Sequence, residues 1–317
     1  MSSKMAIFQR NLNPTHLSTK SVDQNHWFRE LLKLWRPSGV QSDIGENGKA
    51  ASLRLAIRDG FMNFYGAGQS VAKVRSTQRT FDEWVHHKYL GEERVGSGYY
   101  KCVKAPPAPM AEQMLADRIA VASKWHAAEK TFVDQLMGDN EDIFDLELSL
   151  SFMKPGAKKA VALRLDAASL ERDGEGWRIV LWEAKMANNA EAKAKGDADP
   201  KTRQQHENYL AYFAKPGAVD DFIAATRVAC SHLIKLRCLA EHAGNKQTLG
   251  EGIMAVGKCP DESVHLTLDT NVRYIIDVRG DKSGAFTTNG HVDKLRAMGA
   301  HVQTIDNDST SLALDKL

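Results

Sequence analysis

The sequence predicts an α/β (α+β) fold: a mixed central sheet flanked by helices, preceded by a small N-terminal domain that contains a β-meander. Three observations point there. From residue 110 onward the patterning runs helix, three strands, helices, strand, helix, strand. Near residue 60 an Asp-Gly pair joins two strand-like runs. Between these regions lies KAPPAP at 104–109, where proline blocks both helix and sheet.

The elements follow in order. Residues 25–35 (NHWFRELLKLW) carry apolar side chains at helical spacing and stop at Arg36-Pro37, which predicts a short helix. Residues 39–48 are a loop. Residues 53–58 and 61–65 flank Asp59-Gly60, a strong hairpin signal. Gly66-Ala67-Gly68 then leads into a third strand at 70–74, which completes the meander. Residues 81–89 read as a helix bearing His86 and His87, neighbours that cannot face one point and are taken as surface or packing groups. The boundary at 104–109 divides an N-terminal unit, 1–103, expected to bind substrate or a partner, from a domain over 110–317. In the second unit, 110–137 is a long helix stopped by Gly138-Asp139-Asn140. Strands follow at 143–153, 160–170 and 177–186, then a polar loop at 188–200. Helices at 201–214 and 220–242, a strand at 272–278, a helix at 291–298 and a strand at 300–305 complete the pattern. No internal repeat is seen.

Composition bounds the function classes. The 317 residues are 43% hydrophobic and 26% charged, ordinary for a globular protein. The net charge of +2 gives no bulk argument for nucleic-acid binding, although a local basic strip would suffice. No apolar run approaches the roughly 20 residues of a membrane helix. Residues 1–13 lack the apolar core of a signal peptide. A cytoplasmic protein with no membrane partner is expected. Cys102, Cys230, Cys238 and Cys259 form no CxxC pair, which argues against a zinc ribbon. Cys230 and Cys238 are expected in a helix core.

The chemistry concentrates between residues 165 and 185. Asp173-Gly174-Glu175-Gly176 is a turn signal between two apolar strands. With Asp173 opposite Gly176, counting back along both strands sets Asp166 directly opposite Glu183. Opposed Cβ atoms lie about 4.5–5.5 Å apart, where like charges destabilise. A divalent cation between them resolves that conflict. Side chains alternate along a strand, so Glu183 and Lys185 share a face and Ala184 takes the other. The preceding Ile179-Val180-Leu181-Trp182 is apolar on both faces, so the strand is central and buried. Two carboxylates and an ammonium would then form one patch, with Lys185 placed to orient a water or stabilise phosphate charge. The competing reading is a surface hairpin with a cross-strand ion pair.

The order helix, strand, strand with Asp166, strand with Glu183-Ala184-Lys185, helix resembles the core of the PD-(D/E)xK nuclease superfamily. Leu165-Asp166 stands where that family has Pro-Asp. Gln205-His206-Glu207-Asn208-Tyr209 is similar to the Q-x-x-x-Y motif of the RecB-like branch, with Gln205 and Tyr209 on one helix face. The resemblance covers roughly 110–213. It implies a restriction-endonuclease-like core, a Mg²⁺ or Mn²⁺ cofactor, and Asp166, Glu183 and Ala184 as metal ligands. It implies that Lys185 assists the attacking water and that Gln205 and Tyr209 support the site. A glutamate on the helix before the first strand belongs to the pattern: Glu129 fits best, Glu112 second. Glu147 in the first strand is a further candidate. Lys154, Lys158, Lys159 and Arg164, with Lys193, Lys195, Lys201 and Arg203, could contact phosphate. The expected activity is a Mg²⁺-dependent deoxyribonuclease suited to phage defence, restriction or repair, with RNA as the other possible substrate. The alternative is a nucleic-acid-binding or assembly module that is inactive alone or needs a partner. A homo-oligomer or a multi-component system is compatible with either. Residues 1–103 match no family pattern.

Overall fold

A computed structural model describes residues 6–43, 51–77, 81–91, 100–103, 108–125, 127–153, 159–193, 200–259, 263–309 and 311–316. The chain begins with a short 3-10 turn over Pro14–His16 and helices α1 (Thr19–Gln24) and α2 (His26–Leu34). In α2, Trp27, Phe28, Leu31 and Leu32 form the buried stripe that the spacing predicts.

Five strands then form an antiparallel sheet in sequence order among the described residues. They are β1 (Arg54–Arg58), β2 (Phe61–Gly66), β3 (Gln69–Ser76), β4 (Phe81–His86) and β5 (Tyr100–Val103). The hairpin at Asp59-Gly60 forms as expected, with Gly60 at φ +75°, a conformation that glycine adopts without Cβ strain. The meander is longer than three strands, and residues 81–89 are not a helix. They form β4 and a 3-10 turn at His87–Tyr89. Burial along β4 alternates through Phe81, Glu83 and Val85. The inward position of Glu83 disguises the two-residue period, and its charge is met by Arg118 at 2.5 Å.

The expected helix over 110–137 is two helices, α3 (Ala108–Ser123) and α4 (Ala128–Asp139). No proline or glycine breaks it. Instead α3 packs on α2 and the first sheet, while α4 packs on the second sheet, so the chain must turn between them. The proposed linker at 104–109 has residues 104–107 outside the described residues.

The second sheet is built from β6 (Ile143–Phe152), β7 (Val161–Asp173) and β8 (Gly176–Met186), followed by helices α5 (Thr202–Phe213), α6 (Ala218–His242) and α7 (Glu251–Lys258). It is completed by β9 (Leu266–Leu268), β10 (Arg273–Asp277) and, after helices α8 (Ala285–Thr288) and α9 (His291–Ala297), β11 (Val302–Ile305). The order is β11-β10-β8-β7-β6, with β9 beside β8. β6, β7 and β8 are antiparallel, whereas β8, β10 and β11 run parallel, so the sheet is mixed. β8 is central. Ile179 and Leu181 join the core cluster that holds α5 and α6 side chains, and Val180, Trp182 and Ala184 join the one that holds Phe132 and Leu136 of α4. Neither α7 nor β9 was expected from the patterning. Cys230 is buried as expected, but Cys238 is exposed because it falls on the solvent side of α6.

The two sheets share one interior: the same cluster contains Phe28, Leu55 and Phe64 from the first unit and Leu165, Leu181 and Phe222 from the second. Buried charges pin them together. Asp145 of β6 accepts from Arg58 of β1 at 2.5 Å and from Arg10 at 3.1 Å. A buried carboxylate shared by two guanidiniums is a costly arrangement unless fully paired, and here it fixes β1 against β6. No described helix is long and apolar enough to cross a membrane.

Candidate active site

The β7–β8 register runs from Asp173 opposite Gly176 to Ala167 opposite Trp182. Asp166 and Glu183 are the next residues on the two strands, close enough for the Glu183 charge to act on the Asp166 carboxyl. The Asp166 carboxylate Oδ2 accepts the main-chain N–H of Ala184 at 2.9 Å. Lys185 donates to Glu183 Oε1 at 2.6 Å, as the shared strand face requires. Asp166, Glu183 and Lys185 are only 6%, 2% and 5% exposed, so the surface-hairpin reading does not hold.

Helix α5 lies over this face. Gln205, four residues before Tyr209, donates to Glu183 Oε1 at 2.9 Å and to the Tyr209 hydroxyl at 2.7 Å. The Tyr209 hydroxyl in turn lies 2.6 Å from the Arg164 carbonyl and 3.1 Å from Glu183 Oε2. Its single proton serves both acceptors. Each oxygen of Glu183 is thereby held, and its orientation is set by groups from two elements.

On the other side of Asp166, the β6–β7 register (Leu146 opposite Ala167, Leu148 opposite Leu165) sets Glu147 across from Asp166. Glu147 has φ +51°, a left-handed backbone that costs a non-glycine residue about 1–3 kcal/mol and is held only by its surroundings. Arg58 donates to the Glu147 main-chain carbonyl at 3.0 Å, and the ammonium of Lys130 of α4 bonds the Glu147 carboxylate and lies 3.6 Å from Asp166 Oδ1. Arg164 is a weaker neighbour of Glu147, at 3.7 Å. Three adjacent strands therefore bring one carboxylate each into a row, served by the ammoniums of Lys130 and Lys185. Arg164 adds a third, more exposed cation at the Glu147 end of the row.

The titration of these groups reflects their burial and their mutual charges. Burial, and then the Glu183 charge, push the Asp166 carboxyl up from 3.8 to about 8. Burial also raises Glu183, although Lys185, Gln205 and Tyr209 counter it. For Lys185, burial works against the charge, but Glu183 and Asp166 outweigh it and hold the ammonium above the usual lysine range. Lys130 is raised in the same way by Asp166 and Glu147 against burial.

Glu129, in the first turn of α4, accepts from Asn189 at 3.1 Å and adds to the field that keeps Lys130 and Lys185 charged. Glu112 is exposed on α3, the helix that serves the first sheet. Of the basic residues, Lys159, Arg164, Lys193, Lys201 and Arg203 are exposed, and Arg203 pairs with Glu207. Lys154, Lys158 and Lys195 lie outside the described residues. Lys130 was missed in the sequence. A lysine beside Glu129 at a helix start carries no signal of its own, and only the packing of α4 aims it at Asp166.

The donors suit a hard divalent cation in kind: carboxylate oxygens of Asp166 and Glu183, with Ala184 able to offer only its main-chain carbonyl. In their present rotamers these oxygens are turned to Lys130, Lys185, Gln205 and Tyr209. Among the described residues no group of three or more His, Cys, Asp or Glu side chains converges on a point that would hold a metal. No protein-family model, no curated protein and no solved structure matches the chain.

Proposed function

We propose that this chain is a metal-dependent phosphodiesterase with a restriction-endonuclease-like core, a nuclease acting on DNA. The observation that carries the reading is the burial of Asp166 and Glu183 on adjacent strands beside Lys185, with Gln205 and Tyr209 both reaching Glu183. A fold gains no stability by burying two carboxylates side by side, so their retention points to a charged ligand. Magnesium or manganese bound at Asp166, Glu183 and the Ala184 carbonyl would lower the pKa of a water and offset charge on phosphate.

The chain's own groups divide the remaining work. Lys185 stays protonated and presents N–H donors where a water or a phosphoryl oxygen would sit. Gln205 and Tyr209 hold the Glu183 rotamer, so no reorganisation is needed when charge develops. Lys130 and Arg164 are cations beside Asp166 and Glu147, suited to a phosphate of the strand. The test is cleavage of DNA with Mn²⁺ or Mg²⁺: Asp166→Ala and Lys185→Ala should each abolish it while circular dichroism stays unchanged. Full activity in either variant would sink the assignment.

A nucleic-acid-binding or assembly module, inactive without a partner, is the second reading. It is favoured by the engagement of both Glu183 oxygens in hydrogen bonds and by the absence of a three-ligand group among the described residues. No thermal shift with Mn²⁺ and no cleavage of any DNA would select it.

A further inference from the structure

A second cavity adjoins the carboxylate row. It encloses about 400 Å³ between the first sheet and the edge of the second. Lys130, Glu147 and Arg164 line one side; Lys130 reaches Asp166 at 3.6 Å, and Arg164 lies 3.7 Å from Glu147. The other side comes from the meander. Its rings include His86, Tyr89 and Tyr100, and Asn63, Gln69 and Ser70 add amide and hydroxyl groups.

Three features set this cavity apart from a packing defect. First, it presents accessible cations: Lys88 and Arg164 line it beside Lys130, which pairs with Glu147, and Arg58, whose charge is met by Asp145. Second, its rings are already arranged with cations. Lys88 lies 4.7 Å over Tyr89, and Lys73 lies 3.7 Å over the Phe61 ring. Third, Tyr100 is 38% exposed, and it meets His86 edge to face at 5.3 Å rather than stacked on it.

We propose that this cavity receives an unpaired base of a single-stranded nucleic acid, with Tyr100 as a stacking platform, and so delivers the neighbouring phosphate to Asp166. A half-open cleft lined by rings and amides suits one splayed base, whereas a stacked duplex offers no base to enter it. Its size falls within the range of roughly 300–1,000 Å³ typical of small-ligand sites. The buried Arg58–Asp145 contact fixes the meander against β6, so the distance from this pocket to the carboxylate row is set by rigid elements. The delivery of phosphate rests on the nuclease reading, while the base-binding pocket does not.

Fluorescence anisotropy in EDTA tests it with the full chain, using a labelled single-stranded DNA oligonucleotide and the same strand annealed to its complement. The single strand should bind about tenfold more tightly than the duplex, and Tyr100→Ala should lose about that factor for the single strand alone. Tyr100→Phe, which keeps the ring, should restore it. Thermal unfolding checks that the alanine variant folds, and Lys88→Gln provides a second, independent loss at the same cavity. Equal binding of duplex, or undiminished single-strand binding in Tyr100→Ala and Lys88→Gln, overturns the proposal. Metal-dependent cleavage that ignores Tyr100→Ala removes the pocket and leaves the nuclease. Ring-dependent binding without any cleavage removes the nuclease and leaves the pocket.

Discussion

Replacing Asp166 by asparagine should stabilise the metal-free protein, the opposite of what removing a buried, hydrogen-bonded group normally does. The reason is the burial of its carboxyl beside Glu183. Burial and Glu183 raise its carboxyl from 3.8 to about 8, so the folded state holds a proton that the unfolded chain has released. The sign follows from that difference. Stability attributable to this group is fully present below pH 3.8 and is lost as the pH rises to about 8. At about 1.4 kcal/mol per pH unit, the loss is on the order of 4 kcal/mol at pH 7. Relaxation of the site makes that a ceiling. Asparagine carries no charge to desolvate, and its side-chain oxygen can still accept the Ala184 N–H that Asp166 accepts at 2.9 Å. The assay is thermal unfolding of both proteins in EDTA from pH 5 to pH 9. The variant should gain on the wild type steadily as pH rises, by several degrees at pH 8. Adding Mn²⁺ should stabilise the wild type and not the variant. An asparagine variant less stable than the wild type at pH 8 in EDTA would refute the reasoning.

Three further outcomes are expected. Lys185→Met leaves Glu183 buried without its cation and should cost about 3–5 kcal/mol by denaturant unfolding at pH 8, and less as the pH falls, because burial raises the Glu183 carboxyl and eases its protonation. Tyr209→Phe removes the hydroxyl that serves Arg164 and Glu183, and should cost about 1–3 kcal/mol in urea unfolding while leaving the far-ultraviolet dichroism unchanged. Asp145→Ala strands Arg10 and Arg58 and should cost about 3–5 kcal/mol in the same assay, with the first sheet becoming the earliest region to exchange amide hydrogens.

The site was legible where local chemistry determines geometry. The turn at Asp173–Gly176 sets the register of β7 on β8, which runs to Ala167 opposite Trp182 and leaves Asp166 and Glu183 as the next residues on the two strands. The two-residue period then puts Lys185 beside Glu183, and the helical period puts Gln205 with Tyr209. The same logic failed where a buried charge replaced an apolar residue. Glu83 faces inward and is answered by Arg118, a partner 35 residues away, so β4 resembled a helix. It failed again between α3 and α4, where nothing local interrupts the helix and the two halves serve different sheets.

The sequence by itself determined β1–β3, β6–β8, β10 and β11, the central position of β8 and the pairing across the β7–β8 hairpin, because turn type and side-chain alternation act over a few residues. Tertiary structure alone decided the rest. It buried the carboxylates, which is what raises Asp166 and Glu183. It aimed Lys130 at Asp166 from a separate helix and put Glu147 into a left-handed backbone to meet that lysine. It also closed the meander over the site through Asp145 and its two arginines. Each of these depends on desolvation or on pairing between distant segments, and both arise only when the chain packs.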